Sequence, residues 1–313
     1  MGRNIVLATA GYDRSVRLWD CNAESTYRTL HFPESQVNDL CFSSDNELLI
    51  VGGLPRAAVF NVSSSTPNPT YVFDDHRGNV TAVGCDPEGK WMYSSSDDRT
   101  VKLWNTKSPQ ALASFKHSSP VNCIAIHPNG NYLYAGDQDG FVKVWDITAS
   151  KLAKEVQPQS VESIEAIAIS HDGNIIVGSN FAGASYFWSL EKDPIAFDPI
   201  CRNQTHHRHV LKVAFDYLDE PKFAAALTDG TVKILKVDIG KIETESDMPT
   251  VGILDNHTRW VWDVAFTSDS EHLFSASSDM TAVLVHIESG KVLTTFEGHQ
   301  KAITCLAIAE VQS

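Results

Sequence analysis

The sequence has no uninterrupted apolar run of about 18 residues, which is the length that a membrane-spanning helix requires. Its first four residues lead directly into Ile5–Ala8, without the longer apolar stretch of a signal peptide. These absences exclude a membrane-spanning helix and argue against a secretory leader. We therefore expect a cytoplasmic chain that does not insert into membranes.

Cysteine and basic residues are both scarce. The six cysteines form no C-x-x-C pair, and most lie in apolar runs where cysteine behaves as a small hydrophobic residue. We expect no disulfide framework and a reducing compartment. Lys and Arg number 25 against 39 Asp and Glu, giving a net charge of −14. Because nucleic-acid binding needs clustered Lys and Arg, we expect no nucleic-acid partner.

Motifs of catalysis are absent as well. The chain has neither a G-x-x-x-x-G-K-[ST] phosphate loop nor a G-x-S-x-G nucleophile turn. Its carboxylates fall mostly in turns, and we interpret Asp97, Asp98, Asp137 and Asp139 as turn-forming residues. An enzyme needs a cleft with paired, perturbed groups, and the sequence offers no such set. It predicts a non-enzyme without a cofactor.

One histidine cluster has the composition of a metal site. His206, His207 and His209 are close in sequence, but a structural zinc site requires four fixed ligands. His206 also occupies a position that recurs along the chain, with equivalents at His76, His117, His257 and His299. We therefore interpret it as a repeat residue and predict no bound metal.

What the sequence does contain is a repeat. A β-branched residue, two variable residues, an apolar one, a small one and an apolar one recur seven times. The seven copies are Val37–Phe42, Val80–Cys85, Val121–Ile126, Ile164–Ile169, Val210–Phe215, Val261–Phe266 and Ile303–Ile308. Internal repeats of this kind decide the fold before any single motif does.

A second pattern alternates with the first and ends on a bulky apolar anchor. The anchors are Trp19, Phe60, Trp104, Trp145, Trp188, Leu235 and Val285. They are 41 to 50 residues apart, near the period of about 40–45 residues for four-stranded propeller blades. Five repeats place an Asp six residues before the anchor, where it suits a tight turn; Leu54 and Ala182 replace it in two others.

Together these patterns predict an all-β, seven-bladed β-propeller that forms a single domain over residues 1–313. The chain begins with second- and third-strand patterns and ends with a lone first-strand pattern, so the C-terminal strand should complete the N-terminal blade. Such closure removes free sheet edges. The predicted repeats cover 1–30 with 299–313, 35–73, 76–115, 117–156, 160–202, 206–254 and 257–296.

The repeats resemble the WD40 family. The matching dipeptides are Trp19-Asp20, Trp145-Asp146 and Gly298-His299. The resemblance implies a buried His–Ser/Thr–Asp–Trp hydrogen-bond set in the third repeat. Its members would be His76, Ser95, Asp98 and Trp104.

Trp260-Val261-Trp262 stands out among the first strands. Strand alternation places both tryptophans on the side opposite Val261, where other repeats carry mostly polar or small residues. The two indoles either pack between blades or form an exposed anchor for a partner, with Arg259 beside them. Gln36 and Asn38 hold equivalent positions two blades away and would share that surface.

A closer resemblance connects the chain with the "lethal with SEC thirteen" family, the small WD40 subunits of TOR kinase complexes, also called G-protein β-subunit-like. The ordered stretches that carry it are 8–13, 35–38, 91–93, 126–129, 259–262, 275–279 and 298–302. It implies a non-catalytic subunit that binds and stabilises the TOR kinase catalytic domain, alongside other TOR complex subunits, in growth and nutrient signalling. It also implies a cytoplasmic location, and endomembranes through the complex.

In that family, positions matching Gln36, Asn38, Trp260 and Trp262 contact the kinase, and Arg259 adjoins them. The sixth and seventh repeats depart from the pattern, and the loops 191–204 and 240–250 are less alike. The alternative is a generic WD40 scaffold, for example a ubiquitin-ligase substrate receptor. Such receptors often carry Arg two residues after the Trp-Asp pair, where this chain has Asn22 and Thr148.

Overall fold

The computed structural model describes residues 4–32, 35–105, 108–158, 161–204, 209–218, 221–237 and 248–311. These residues form seven four-stranded antiparallel sheets arranged as the blades of a propeller. No helix in the described residues is long and apolar enough to cross a membrane. The prediction of an all-β, seven-bladed fold is confirmed.

The strands follow one another in a regular order. In chain order they are β1 (Asn4–Gly11), β2 (Ser15–Asp20), β3 (Ser25–His31), β4 (Val37–Phe42), β5 (Leu48–Gly53), β6 (Ala57–Asn61), β7 (Tyr71–Phe73), β8 (Val80–Cys85), β9 (Trp91–Ser96), β10 (Thr100–Asn105), β11 (Ser108–Lys116), β12 (Val121–Ile126), β13 (Tyr132–Asp137), β14 (Val142–Asp146), β15 (Lys151–Val156), β16 (Ile164–Ile169), β17 (Ile175–Asn180), β18 (Ala184–Ser189), β19 (Asp198–Gln204), β20 (Val210–Phe215), β21 (Lys222–Leu227), β22 (Val232–Lys236), β23 (Thr250–Leu254), β24 (Val261–Phe266), β25 (His272–Ser277), β26 (Ala282–His286), β27 (Lys291–Phe296) and β28 (Ile303–Val311). Blade 1 is β28-β1-β2-β3, and blades 2 to 7 follow as β4–β7, β8–β11, β12–β15, β16–β19, β20–β23 and β24–β27.

Blade 1 closes the ring. Strands β28 and β1 pair antiparallel from Asn4 opposite Val311 to Ala10 opposite Cys305. At Gly11 the chains approach so closely that a Cβ would lie 2.0 Å from the carbonyl oxygen of Ala302, so only glycine fits there. Closure by the C-terminal strand is therefore confirmed, and it gives β1 a partner strand on both sides, so β1 is not a free edge.

The apolar core lies between neighbouring blades rather than within one sheet. Val16 and Leu18 of blade 1, for example, are fully buried in one cluster with Leu49 and Phe60 of blade 2. Each sheet alternates side chains between its two faces, so every blade contributes to the core on both sides. The blades therefore support one another around the ring, and the ring presents a preformed surface.

Every innermost strand carries one β-bulge near its start. The residue after the first β-branched position has no cross-strand partner in any of the seven blades. We call these the bulge residues: Asn38, Thr81, Asn122, Glu165, Leu211, Trp262 and Thr304. A bulge redirects a side chain and interrupts pairing, and here it positions one residue of each blade at the central pore.

Candidate functional site

A buried hydrogen-bond chain links the inner and outer parts of blade 3. Asp98 Oδ2 lies 2.9 Å from His76 Nδ1, His76 Nε2 lies 2.7 Å from Ser94 Oγ, and Trp104 Nε1 donates to the same Oγ at 2.8 Å. The predicted participation of Ser95 is wrong. Met92 pairs with Trp104 across β9 and β10, so Ser94 shares the face of Trp104 while Ser95 points to the other face. Ser95 Oγ instead bonds Thr81 Oγ1 at 2.8 Å.

Blade 1 contains the same chain in complete form. His299 Nδ1 lies 2.7 Å from Asp13 Oδ2, and its Nε2 lies 2.8 Å from Thr9 Oγ1, which also accepts from Trp19 Nε1 at 2.8 Å. The histidine arrives on the chain segment before β28, so this blade joins the two ends of the sequence through a side-chain network. These chains connect strands within blades, and each of their side chains is hydrogen-bonded to another member.

Blades 4 and 7 hold reduced versions. In blade 4 the carboxylate is Asp137, 3.2 Å from His117, and Trp145 Nε1 donates directly to His117 Nε2 at 3.1 Å. The repeat position itself, Asp139, lies in the neighbouring turn. In blade 7, His257 contacts Asp279 and Ser275 at 2.9 and 2.8 Å, but no tryptophan completes the set.

The carboxylates of Asp13, Asp98 and Asp279 in blades 1, 3 and 7 are held in their charged form. Burial works against the charge of Asp98, but hydrogen bonds from His76, Thr100 and the Arg77 backbone N–H outweigh it and lower the pKa of the carboxyl. The pKa values of Asp13 and Asp279 are lowered in the same way. A carboxylate that stays ionised at every ordinary pH is a poor proton carrier. This is consistent with a structural role.

Replacing Ser94 by Ala is expected to lower the free energy of unfolding by about 2–4 kcal/mol, since His76 and Trp104 would both lose a buried partner. Ser95→Ala is the matched control. It removes one bond to Thr81, whose hydroxyl keeps the Val121 carbonyl as a partner, and should cost about 1 kcal/mol. Urea unfolding of both variants measures the difference; equal losses would contradict the assignment of Ser94.

The innermost strands all start at one face of the ring, which we call the upper face. The residues that precede the seven strands at this face are Gln36, Asn79, Pro120, Ser163, His209, Trp260 and Ala302. Trp260 is 47% exposed there, although tryptophan is usually well buried. Arg259 beside it is also exposed. The upper face thus displays an aromatic side chain where other blades carry polar or small residues.

Trp262 takes a different position from Trp260. It is half-buried at the pore, and its Nε1 donates to Ser278 Oγ at 2.6 Å. The two indole centroids are 5.6 Å apart with an interplanar angle of 50°. Neither of the two alternatives from the sequence therefore describes the pair. Trp260 is exposed on the upper face, and Trp262 packs against it from the pore wall.

Asn38 and Gln36 also differ from each other in position: Asn38 lies in the pore wall, and Gln36 lies on the upper face. The Asn38 amide donates to Asn79 Oδ1 and to the Val80 carbonyl at 2.6 and 2.8 Å, so it lies in the pore wall. Gln36 is half-buried on the upper face and lines a groove with Tyr12 and Lys301. Gln36, Arg259 and Trp260 are accordingly available on the upper face, whereas Asn38 and Trp262 belong to the pore wall.

Four bulge residues join neighbouring blades around the pore. Each donates to the carbonyl of the first strand residue in the next blade: Asn38 to Val80, Thr81 to Val121, Asn122 to Ile164 and Thr304 to Val37, at 2.5–3.0 Å. Among the described residues, the other three make no such bond, and they belong to the adjacent blades 5, 6 and 7. We call Glu165, Leu211 and Trp262 the open sector of the pore mouth.

One residue deeper, charged side chains cross the pore. Lys212 Nζ of blade 6 lies 3.1 Å from Asp39 Oδ1 of blade 2, on the far side of the ring. Asp39 Oδ2 accepts from Val83 N, and Asp263 Oδ2 accepts from Leu306 N, both at 2.9 Å. Burial opposes the charge of Lys212, but Asp263 and Asp39 outweigh it and raise its pKa. We call Asp39, Lys212 and Asp263 the pore triad.

The predicted histidine cluster is only partly described. His206 and His207 lie outside the described residues, as do residues 240–247 of the second divergent loop. His209 stacks on Phe181 with a centroid distance of 3.7 Å and 22° between the planes, and its Nδ1 lies against the Phe181 carbonyl. A ring stacked and bonded in this way acts as a packing residue of the upper face.

The fold, the repeated His–Asp chains and the closed ring define a WD40 protein. The family model for the "WD domain, G-beta repeat" matches residues 2–20, 24–54, 67–105, 109–146 and 248–285. Among curated proteins, the chain is 36% identical to "Target of rapamycin complex subunit LST8-1" of Arabidopsis thaliana over 82% of both chains. It is 31% identical to the LST8 subunit of Saccharomyces cerevisiae over 98% of this chain and 100% of the yeast protein. The mouse LST8 subunit is 31% identical over 97% and 94%.

These similarities extend over nearly the whole chain and share one name. The chain belongs to the LST8 family of WD40 proteins. Both comparisons agree with the prediction that it is a non-catalytic protein, because WD40 repeats form a scaffold and the relatives are named as subunits.

Proposed function

We propose that this protein is a subunit of TOR complexes that binds the TOR kinase catalytic domain through its upper face and stabilises it. The observation that carries the proposal is the half-exposed indole of Trp260, which packs against Trp262 on a closed ring. The names of its relatives as TOR complex subunits support the kind of complex. The proposed location of the protein is the cytoplasm, and also endomembranes to which the TOR complex would bring it.

Physical chemistry favours Trp260 as the anchor of such an interface. Tryptophan is enriched among the few residues that supply most binding energy, and these residues cluster where water is excluded. Arg259, the preceding residue, adds an exposed charged side chain, and Gln36 lies on the same face two blades away. An aromatic anchor with a polar surround is the usual composition of a protein interface.

A rigid subunit can regulate a kinase without chemistry of its own. A partner that binds one conformation of the kinase better than another shifts the population toward that conformation. The shift grows with the concentration of the partner, and at saturation it equals the difference between the binding free energies of the two conformations. The closed ring suits this role because its blades leave little freedom to adapt.

The double substitution Trp260→Ala with Trp262→Ala is expected to weaken binding to the TOR kinase catalytic domain by about 2–4 kcal/mol, the scale of an interface hot spot. Biolayer interferometry with the purified kinase domain measures this loss. Leu112 and Leu152 offer a matched control, because both are exposed on outer strands of blades 3 and 4. Their double replacement by Ala should leave the affinity unchanged.

Full affinity of a folded double tryptophan variant would contradict the proposed site. Circular dichroism and a thermal melt establish folding, which matters because Trp262 also bonds Ser278. A generic WD40 scaffold, the alternative function, predicts no direct binding of the isolated kinase domain to the wild-type protein.

A further inference from the structure

The pore mouth contains a cavity of about 120 Å³ between the bulge residues and two members of the pore triad, Asp39 and Lys212. Its volume is close to the roughly 150 Å³ of a cavity that holds one benzene molecule, so it can take a single side chain. On one side, its wall consists of the bulge residues already bonded to the next blade. On the other side are Glu165, Leu211 and Trp262, the open sector.

The charge around this cavity is unbalanced. Asp39 and Glu165 supply two carboxylates to its wall, whereas Lys212 supplies the single ammonium there. Asp263, outside the wall, adds a further carboxylate that interacts with Lys212. Lys212 is already engaged by Asp39 at 3.1 Å. A cation entering the cavity would therefore meet net negative charge, whereas an anion would be repelled.

Glu165 is the second carboxylate of the cavity wall, beside the Asp39 that Lys212 already engages. Its Oε1 lies 3.5 Å from the Asn122 amide nitrogen, and it forms no ion pair with any Lys or Arg among the described residues. Burial raises the pKa of this carboxyl, although Ser163 and His209 act in the opposite direction. A partly desolvated carboxylate with few donors gains most from a charged partner.

The rim above the open sector carries two exposed aromatic rings. Phe181 is 46% exposed and stacks on His209, and Trp260 is exposed on the other side of the same three blades. The indole of Trp262 forms part of the cavity wall. A side chain with an aliphatic stem and a cationic head would pack its stem on these rings and place its charge near Glu165.

We propose that the open sector of the pore mouth receives one basic side chain, arginine or lysine, from the protein that docks on the upper face. This inference rests on the proposed function and adds the chemistry of the partner: a positively charged residue must project from the docked surface beside the residues that cover Trp260. Glu165 would bind it through a charge-assisted hydrogen bond, with Trp262 as the aromatic wall.

The test begins with Glu165→Gln, which preserves the shape of the side chain and removes its charge. We expect the affinity for the TOR kinase catalytic domain to fall about tenfold or more, the scale of one hydrogen bond to a charged group. Glu47→Gln is the control, because it makes the same change on an exposed turn between β4 and β5. Leu211→Lys is the second variant, since it places an ammonium in the cavity itself and should weaken binding as well.

A second experiment tests the cavity directly, without the kinase domain. The peptide acetyl-Gly-Arg-Gly-amide is titrated into the intact protein while the indole N–H signal of Trp262 is followed by NMR. We expect a saturable shift with this peptide, no shift with acetyl-Gly-Glu-Gly-amide, and a lost response in Glu165→Gln. Magnesium chloride serves as a further probe, because carboxylates also bind divalent cations.

The outcomes separate this inference from the proposed function. If the tryptophan variants lose the kinase domain while Glu165→Gln binds like wild type and the arginine peptide gives no shift, the inference is overturned and the proposed function stands. A response to magnesium but not to the peptide would also overturn it. If Glu165→Gln and Leu211→Lys both weaken binding while the tryptophan variants do not, the contact of a basic side chain with Glu165 is supported, whereas the roles of Trp262 as its aromatic wall and of Trp260 as the anchor are overturned.

Discussion

Deleting residues 299–313 should prevent the protein from folding into a stable ring. The deletion removes β28, whose residues Ile303, Cys305 and Leu306 are almost fully buried. Each large apolar side chain contributes about 1.5–3 kcal/mol on burial, and the whole domain has only about 5–15 kcal/mol of stability. The deletion also exposes the backbone of β1 as a free edge, which favours aggregation.

Soluble yield and a thermal melt measure this effect. We expect a sharp fall in soluble protein and no cooperative transition at the wild-type temperature. His299→Ala is the control, because it removes the contacts to Thr9 and Asp13 but keeps β28 in place. It should fold with a loss of about 1–3 kcal/mol. A truncated protein with unchanged melting would contradict the closure.

Replacing Lys212 by Met should lower the free energy of unfolding by about 2–4 kcal/mol near neutral pH, because Asp39 and Asp263 would remain as two uncompensated carboxylates. This loss is smaller than the largest losses for buried ion pairs, because 38% of the Lys212 side chain is exposed. Lys301→Met, at an exposed site, is the control and should have little effect. Adding Asp39→Asn to Lys212→Met should restore part of the loss.

The loss from Lys212→Met should also depend on pH. Burial raises the pKa of the Asp263 carboxyl from its ordinary value of 3.8 to about 6, although the positive charge of Lys212 acts to lower it. Between these values the folded protein binds more protons than the unfolded chain, so this carboxyl contributes less stability as the pH rises. Without Lys212 the pKa rises further. Urea unfolding at about pH 5 and 7.5 should therefore show a smaller loss at the lower pH; an equal loss would argue against an electrostatic role.

The overall fold could be predicted from the sequence because its signal is repeated seven times. One strand such as Val80–Cys85 is weak evidence, but the same order of β-branched, apolar and small residues in every blade leaves few alternatives. The small residue of the repeat is required partly by contacts within its own blade. At Gly84, a Cβ would lie 2.3 Å from the ring of Tyr93, so the crowding there comes from its own blade.

The site was harder to predict, because its details depend on register. Residues 94–96 are three consecutive serines, and only the pairing of β9 with β10 selects Ser94. The bulges were not foreseen either, and simple alternation therefore placed Trp260 and Trp262 together. A usable signal did exist for the pore triad. Asp39, Lys212 and Asp263 occupy a position where the other blades carry Ala or Cys, and charges of opposite sign there point to a shared pairing.

The open sector also breaks the near-sevenfold symmetry of the ring. A propeller with identical blades would offer a partner seven equivalent rotational settings about the central axis, and binding would be divided among them. Here Glu165, Leu211 and Trp262 occur once each, in three adjacent blades, opposite a wall of amides and hydroxyls. Docking as proposed would hold the partner in a single rotational setting, so the differences among the blades would determine which way the bound kinase domain faces.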